Sequence, residues 1–197
     1  MQVDVGGTRA EELAFGPGGE DRGARRWPWL VVLVSLVVLA TGLTVDERRR
    51  ASEAEQLLRA IESSQATLTH AEQSVAATVI YSSPALVLSK TPEPVRADLV
   101  GLIEESAGEA AGAVRRAHER VVRVQVWPWH QELVQARQAY LGYLARREAR
   151  FTATAEDIWT LVQIDERSAD LLAAAGTALR AAVGPGSAGR VDELLAR

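Results

Sequence analysis

The sequence predicts an all-α protein: a single N-terminal transmembrane helix followed by an antiparallel helical bundle of four helices, or three if 129–183 is continuous. Three observations carry this. Trp27 to Val45 runs nineteen residues without a charge. Beyond it, apolar residues recur at spacings of three and four, the helical period. Pro, Gly and Trp-Pro-Trp interruptions cut that remainder into pieces of helix length.

Composition agrees. Of 197 residues, 47% are apolar but only 5% aromatic, as in helices packed on Ala, Val and Leu. Net charge is −4, and no block of like charge forms a nucleic-acid arm, so no nucleic-acid partner is expected. The 21 Arg against a single Lys, Lys90, read as the imprint of a GC-rich bacterial genome. The absence of Cys excludes disulfides and thiolate chemistry.

Residues 1–26 are rich in Gly and charge and cannot bury enough to offset ordering, so a disordered tail is expected there. Residues 27–45 as a helix span about 28 Å, close to a bilayer's hydrocarbon core. Arg25 and Arg26 flank the run on one side, and Asp46 to Arg50 on the other. Trp27 and Trp29 have the amphipathic character of interface anchors, and Pro28 falls in the first turn, where its missing N–H does no harm. No small-x-small cleavage site follows, so an uncleaved signal-anchor is expected. Basic residues tie across the run, three before and three after. Orientation therefore rests on the large domain that follows: a single-pass cell-membrane protein, N-terminus cytoplasmic, C-terminal domain extracytoplasmic.

Residues 46–183 form the expected bundle. Leu57, Ile61, Leu68, Ala71, Val75 and Val79 mark helix one, which should end at Ser82-Ser83-Pro84. The apolar triplet Leu86, Val87 and Leu88 then lies in a loop, either plugging the bundle or meeting a partner. Thr91 should cap helix two, with Pro92 and Pro94 in its first turn. Ile103, Ala107, Ala110, Val114, Ala117, Val121 and Val124 continue it to Val126 as a coiled-coil-like seam. Gly108 and Gly112 add a small stripe suited to close helix approach.

Trp127-Pro128-Trp129 breaks the pattern. Helix one from Asp46 and helix two to Val126 differ by about one turn in length, so Trp127 and Trp129 should return to the membrane surface. Leu133, Tyr140, Leu141, Leu144 and Phe151 mark helix three. A turn is expected at Thr152–Thr154, with Thr154 and Asp157 as a capping box opening helix four. Ile158, Val162, Leu172 and Leu179 carry that helix to Val183. Gly184-Pro185-Gly186 should stop it, with Gly in the left-handed conformation. Residues 184–197 then form a flexible tail.

Chemistry is sparse. His70, His118 and His130 have no metal-ligand spacing, and no nucleophile or phosphate motif is present, so neither cofactor nor enzymatic role is expected. Arg137, Glu148 and Asp165 fall near core-facing positions and could pair or line a polar pocket. The layout is broadly similar to extracytoplasmic sensor bundles of bacterial receptors, but no second apolar run and no signalling domain accompanies it. The expected function is a membrane-anchored bundle acting by protein–protein contact as scaffold, adaptor or envelope-complex subunit. Its partners would be membrane lipid and a protein partner or a second copy. The alternative is a sensor-like ligand-binding bundle with a separate signalling partner.

Overall fold

The structure, a computed structural model, describes residues 27–87, 91–156 and 165–195, all in helices or the turns between them. Among the described residues there are five helices: α1 Trp27–Val87, α2 Glu93–Val122, α3 Gln131–Glu156, α4 Glu166–Ala182 and α5 Pro185–Leu195. Contacts divide the chain into two units, one ending at Thr44 and the other starting at Val45.

In the first unit, residues 29–44 are helical and every one is exposed. The helix that carries it, Trp29–Leu86, contains an eighteen-residue window of mean hydropathy 2.2 and is long and apolar enough, by length and composition, to cross a membrane. Its hydroxyls are satisfied locally: Thr41 donates to the Val37 carbonyl at 2.8 Å and Thr44 to the Thr41 carbonyl at 3.0 Å.

In the second unit, cross-helix bonds give the topology. Glu53, Thr67 and Thr78 of α1 meet Trp127, Arg120 and Ser106 in turn, so α1 and α2 are antiparallel. Glu53, Ile61 and Glu72 meet His130, Tyr140 and Arg147, so α3 runs parallel to α1. Arg146 reaches Asp165 at the start of α4, and Arg50 reaches the Ala181 carbonyl at its end, so α4 returns. The core takes Leu57, Leu58, Ile61, Leu68 and Val75 from α1, the Ile103–Val121 seam from α2, and Leu133, Tyr140, Leu144 and Phe151 from α3. Each fully buried Leu, Ile or Val contributes about 2 kcal/mol of transfer free energy. The Ala residues of the α2 seam shorten the distance at which helix backbones can pack.

Several expectations about boundaries are corrected. Pro84 does not end α1, which continues to Val87. A proline at 84 leaves the Ile80 carbonyl without its usual donor, and the Ser83 hydroxyl supplies one at 3.2 Å. Leu86 and Val87 therefore belong to the last turn of α1 rather than to a loop; Leu88 lies outside the described residues. Thr91 does not cap α2: Pro92 holds the cap position, with no side-chain bond. α2 ends at Val122, where Arg123 caps it through its N–H to the Glu119 carbonyl.

The turn at Thr152–Thr154 is absent. Both residues lie inside α3, and their hydroxyls donate to Glu148 and Arg150 carbonyls four residues back. α4 starts instead at Glu166, and the alternative of one continuous helix over 129–183 fails as well. Ile158 and Val162 lie outside the described residues. After α4, Val183 is extended and no described Gly has a positive φ, so the Gly184-Pro185-Gly186 stop needs no left-handed glycine. Pro185, with φ preset for a first turn, starts α5. Residues 185–195 are thus a fifth helix of the bundle, with Val191 0% and Leu194 8% exposed, rather than a flexible tail.

Candidate functional site

Trp127-Pro128-Trp129 forms a tight turn in which the His130 N–H donates to the Trp127 carbonyl at 3.0 Å. Pro128 stands at the second position, where its fixed φ suits a turn. The His130 carbonyl then accepts from Val134 and opens α3. The turn is held on residues 46–53 of α1, which directly follow the apolar run in the sequence. Glu53 Oε2 accepts from the Trp127 N–H at 3.1 Å and from His130 Nδ1 at 2.8 Å. Asp46 Oδ1 accepts from the Trp129 indole N–H at 3.2 Å and lies 3.3 Å from His130 Nε2. The His130 and Glu53 side chains are 4% and 8% exposed.

The two indoles lie 4.2 Å apart, tilted at 45°, and the Arg49 guanidinium lies 4.1 Å from the centre of the Trp127 ring. That is cation–π range. Trp129 remains 56% exposed. The result is an amphipathic knob: an exposed Trp129 ring beside a half-buried Trp127 ring, with a buried His–carboxylate pair beneath. Arg50 adds a second tie at the same level, pairing with Glu132 at 3.4 Å. The arginines after the run thus also act inside the bundle. The local spacing of His130 gave no sign of this cluster, because its carboxylates come from another helix.

The other expected residues stand apart. Trp29 is 75% exposed. Arg25 and Arg26, and the side chains of Trp27, Val87 and Leu88, lie outside what is described. Leu86 is half-buried. Among the described residues, Arg137, Glu148 and Asp165 each bond to a different partner. Arg137 Nη1 donates to the Val124 carbonyl at 3.0 Å, and Glu148 pairs with Arg115 at 2.8 Å. Asp165 is the α4 cap, bonded to the Ser168 hydroxyl at 2.6 Å and to Arg146 at 3.1 Å. The Ser168 and Arg146 bonds hold its carboxyl down at about 2.

Two further features were missed. Arg190 of α5 spans Glu55 and Glu62, seven residues apart on one face of α1, with bonds of 3.1 and 2.8 Å. Those two carboxylates push its pKa up, and Arg190 in turn holds the Glu55 carboxyl below its ordinary value. Tyr140 and Tyr143 are raised by burial. A surface groove of about 750 Å³ opens between α1 and α2 beside Gly108 and Gly112. Among the described residues nothing packs against Gly108, and Gly112 has only Arg116 of its own helix beside it, so no described helix approaches closely at these glycines.

Compared with known proteins, the chain matches no family model, no curated protein and no solved structure.

Proposed function

We propose that the chain is a single-pass membrane protein, N-terminus cytoplasmic, whose extracytoplasmic bundle acts by protein–protein contact as a scaffold, adaptor or complex subunit. One observation carries the reading: an uncharged helical stretch whose described residues, 29–44, are all exposed. A bare apolar helix of that length is costly in water and favourable in a bilayer. The bundle supports contact rather than chemistry, because Arg137, Glu148 and Asp165 each bond to a different partner. The sensor-like reading expects a concave pocket lined by Arg137, Glu148 or Asp165.

The Trp127–Trp129 knob is read as an interfacial contact steadying the bundle against lipid. Indoles favour that zone, and the knob sits on the first turns after the apolar run. A chain with Trp27, Trp29 and Trp159 replaced by Phe leaves only the knob fluorescent. Brominated lipids should quench it; an unquenched signal rejects the lipid contact. Reporter fusions at Arg197 test orientation. Active alkaline phosphatase is expected, and an inactive enzyme beside a bright cytoplasmic fluorescent fusion overturns the placement.

A further inference from the structure

The middle of α2 reads EESAGEAAGAVRR, residues 104–116, and its pattern inverts about Ala110. Glu104 and Glu105 precede the centre, Arg115 and Arg116 follow it, and Gly108 and Gly112 are equidistant from it. The bundle buries Ile103, Ala107, Ala110, Val114, Ala117 and Val121. At about 100° per residue, the opposite face presents Gly101, Glu105, Gly108, Gly112, Arg116 and Glu119. Glu104 to Arg115 and Glu105 to Arg116 are each eleven residues, about three turns, so each pair shares a side of the helix.

This face is open. A Cβ on Gly101 or Gly108 would meet no atom within 4 Å, and one on Gly112 would meet only Arg116 Nη1 at 3.6 Å. Among the described residues, Glu104, Glu105 and Arg116 have no ion-pair partner. The groove of about 750 Å³ runs alongside, lined at this height by Gly108, Glu109, Gly112 and Arg116.

We propose that a second copy of the chain docks here, α2 against α2 in the antiparallel sense, on a two-fold axis at Ala110. Such a contact is isologous, so every favourable pair occurs twice. Glu105 of each copy meets Arg116 of the other, while Arg115 stays on Glu148 of its own chain. Gly108 and Gly112 lie at the crossing, where missing side chains let the backbones approach, and the groove receives the facing side chains. A parallel pairing would set Glu against Glu and Arg against Arg, which is repulsive. The inference rests on the contact reading above and names its partner: because α2 runs antiparallel to α1, the two-fold turns the bundles end for end, so the second copy is one anchored in a facing bilayer. The membrane placement is tested by lipid quenching and reporters, so either can fail alone.

The test uses the full chain in non-ionic detergent micelles, which impose no common membrane plane on two copies. Sedimentation equilibrium should show a dimer. Glu105→Arg and Arg116→Glu should each weaken it by about tenfold or more, since each turns two attractions into two repulsions. The double variant should restore it. Both sites are exposed, and unchanged circular dichroism excludes misfolding. Because the chain is free of Cys, an oxidised mixture of Gly101→Cys and Glu119→Cys chains should give the mixed disulfide in excess. A monomeric wild type, single reversals without effect, or a predominance of Gly101→Cys homodimers overturns the proposal.

Discussion

His130 Nδ1 lies 2.8 Å from Glu53 Oε2, although 77 positions separate the two residues in the chain. The contact pins the start of α3 to α1 just beyond the apolar run. With the Trp127 N–H on the same oxygen, Glu53 is a buried acceptor serving two donors. Glu53→Ala leaves those donors buried without a partner, which should cost about 2 kcal/mol. Thermal unfolding followed by circular dichroism measures it. A loss below about 0.5 kcal/mol, typical of a surface site, would show that water replaces the carboxylate.

Gly108→Ala should raise the stability of the single chain by up to about 1 kcal/mol. An exposed mid-helix Gly costs about that much against Ala, and no atom stands in the way of the new methyl. The same change should weaken dimerisation, because it fills the crossing point. A destabilised monomer would mean that Gly108 serves a close contact inside the bundle after all.

Asp165 should make stability depend on pH at the acid end. Its folded carboxyl, at about 2, lies below the unfolded value of about 3.9. Between those values the unfolded chain binds more protons, so this contribution is full above about pH 4 and fades as pH falls towards 2. Asp165→Asn keeps a good cap but should flatten that slope. An unchanged acid limb in the variant would place the titration elsewhere.

Arg190→Ala should release α5. Amides of residues 187–194 are expected to exchange with solvent faster, while those of α3 keep their protection. The Glu55 carboxyl should rise towards its ordinary value, still held partly by Arg59. NMR titration and hydrogen exchange report both; unaltered exchange in α5 would show that Val191 and Leu194 hold it unaided.

Pro84 and Thr154 show where reading the chain stops. A proline after two serines is a sound helix-end signal, yet α1 passes through because the Ser83 hydroxyl takes up the orphaned Ile80 carbonyl. Thr154 with Asp157 has the spacing of a capping box, but Thr154 donates back to Arg150 inside α3. In both cases the hydroxyl bonds a carbonyl of its own helix, a competing partner that spacing alone does not reveal. α5 was missed for a related reason. Eleven residues with only four apolar ones, Ala188, Val191, Leu194 and Leu195, are too short to mark a helix alone, and its anchor, Arg190, finds its carboxylates on α1.

The sequence by itself determined what depends on local period. That covers the uncharged run, the α2 face from Ile103 to Val121, the inward line of α3, and the turn at Trp127-Pro128-Trp129. One periodic face can be buried in only one way, so these needed no partner to be legible. The tertiary structure alone decided the pairings. His130 with Glu53 and Asp46, Arg190 across Glu55 and Glu62, Arg146 on the Asp165 cap, and the outward aim of Gly108 all follow from how helices stack side by side. Such contacts join residues far apart in the chain, and no spacing along it encodes them.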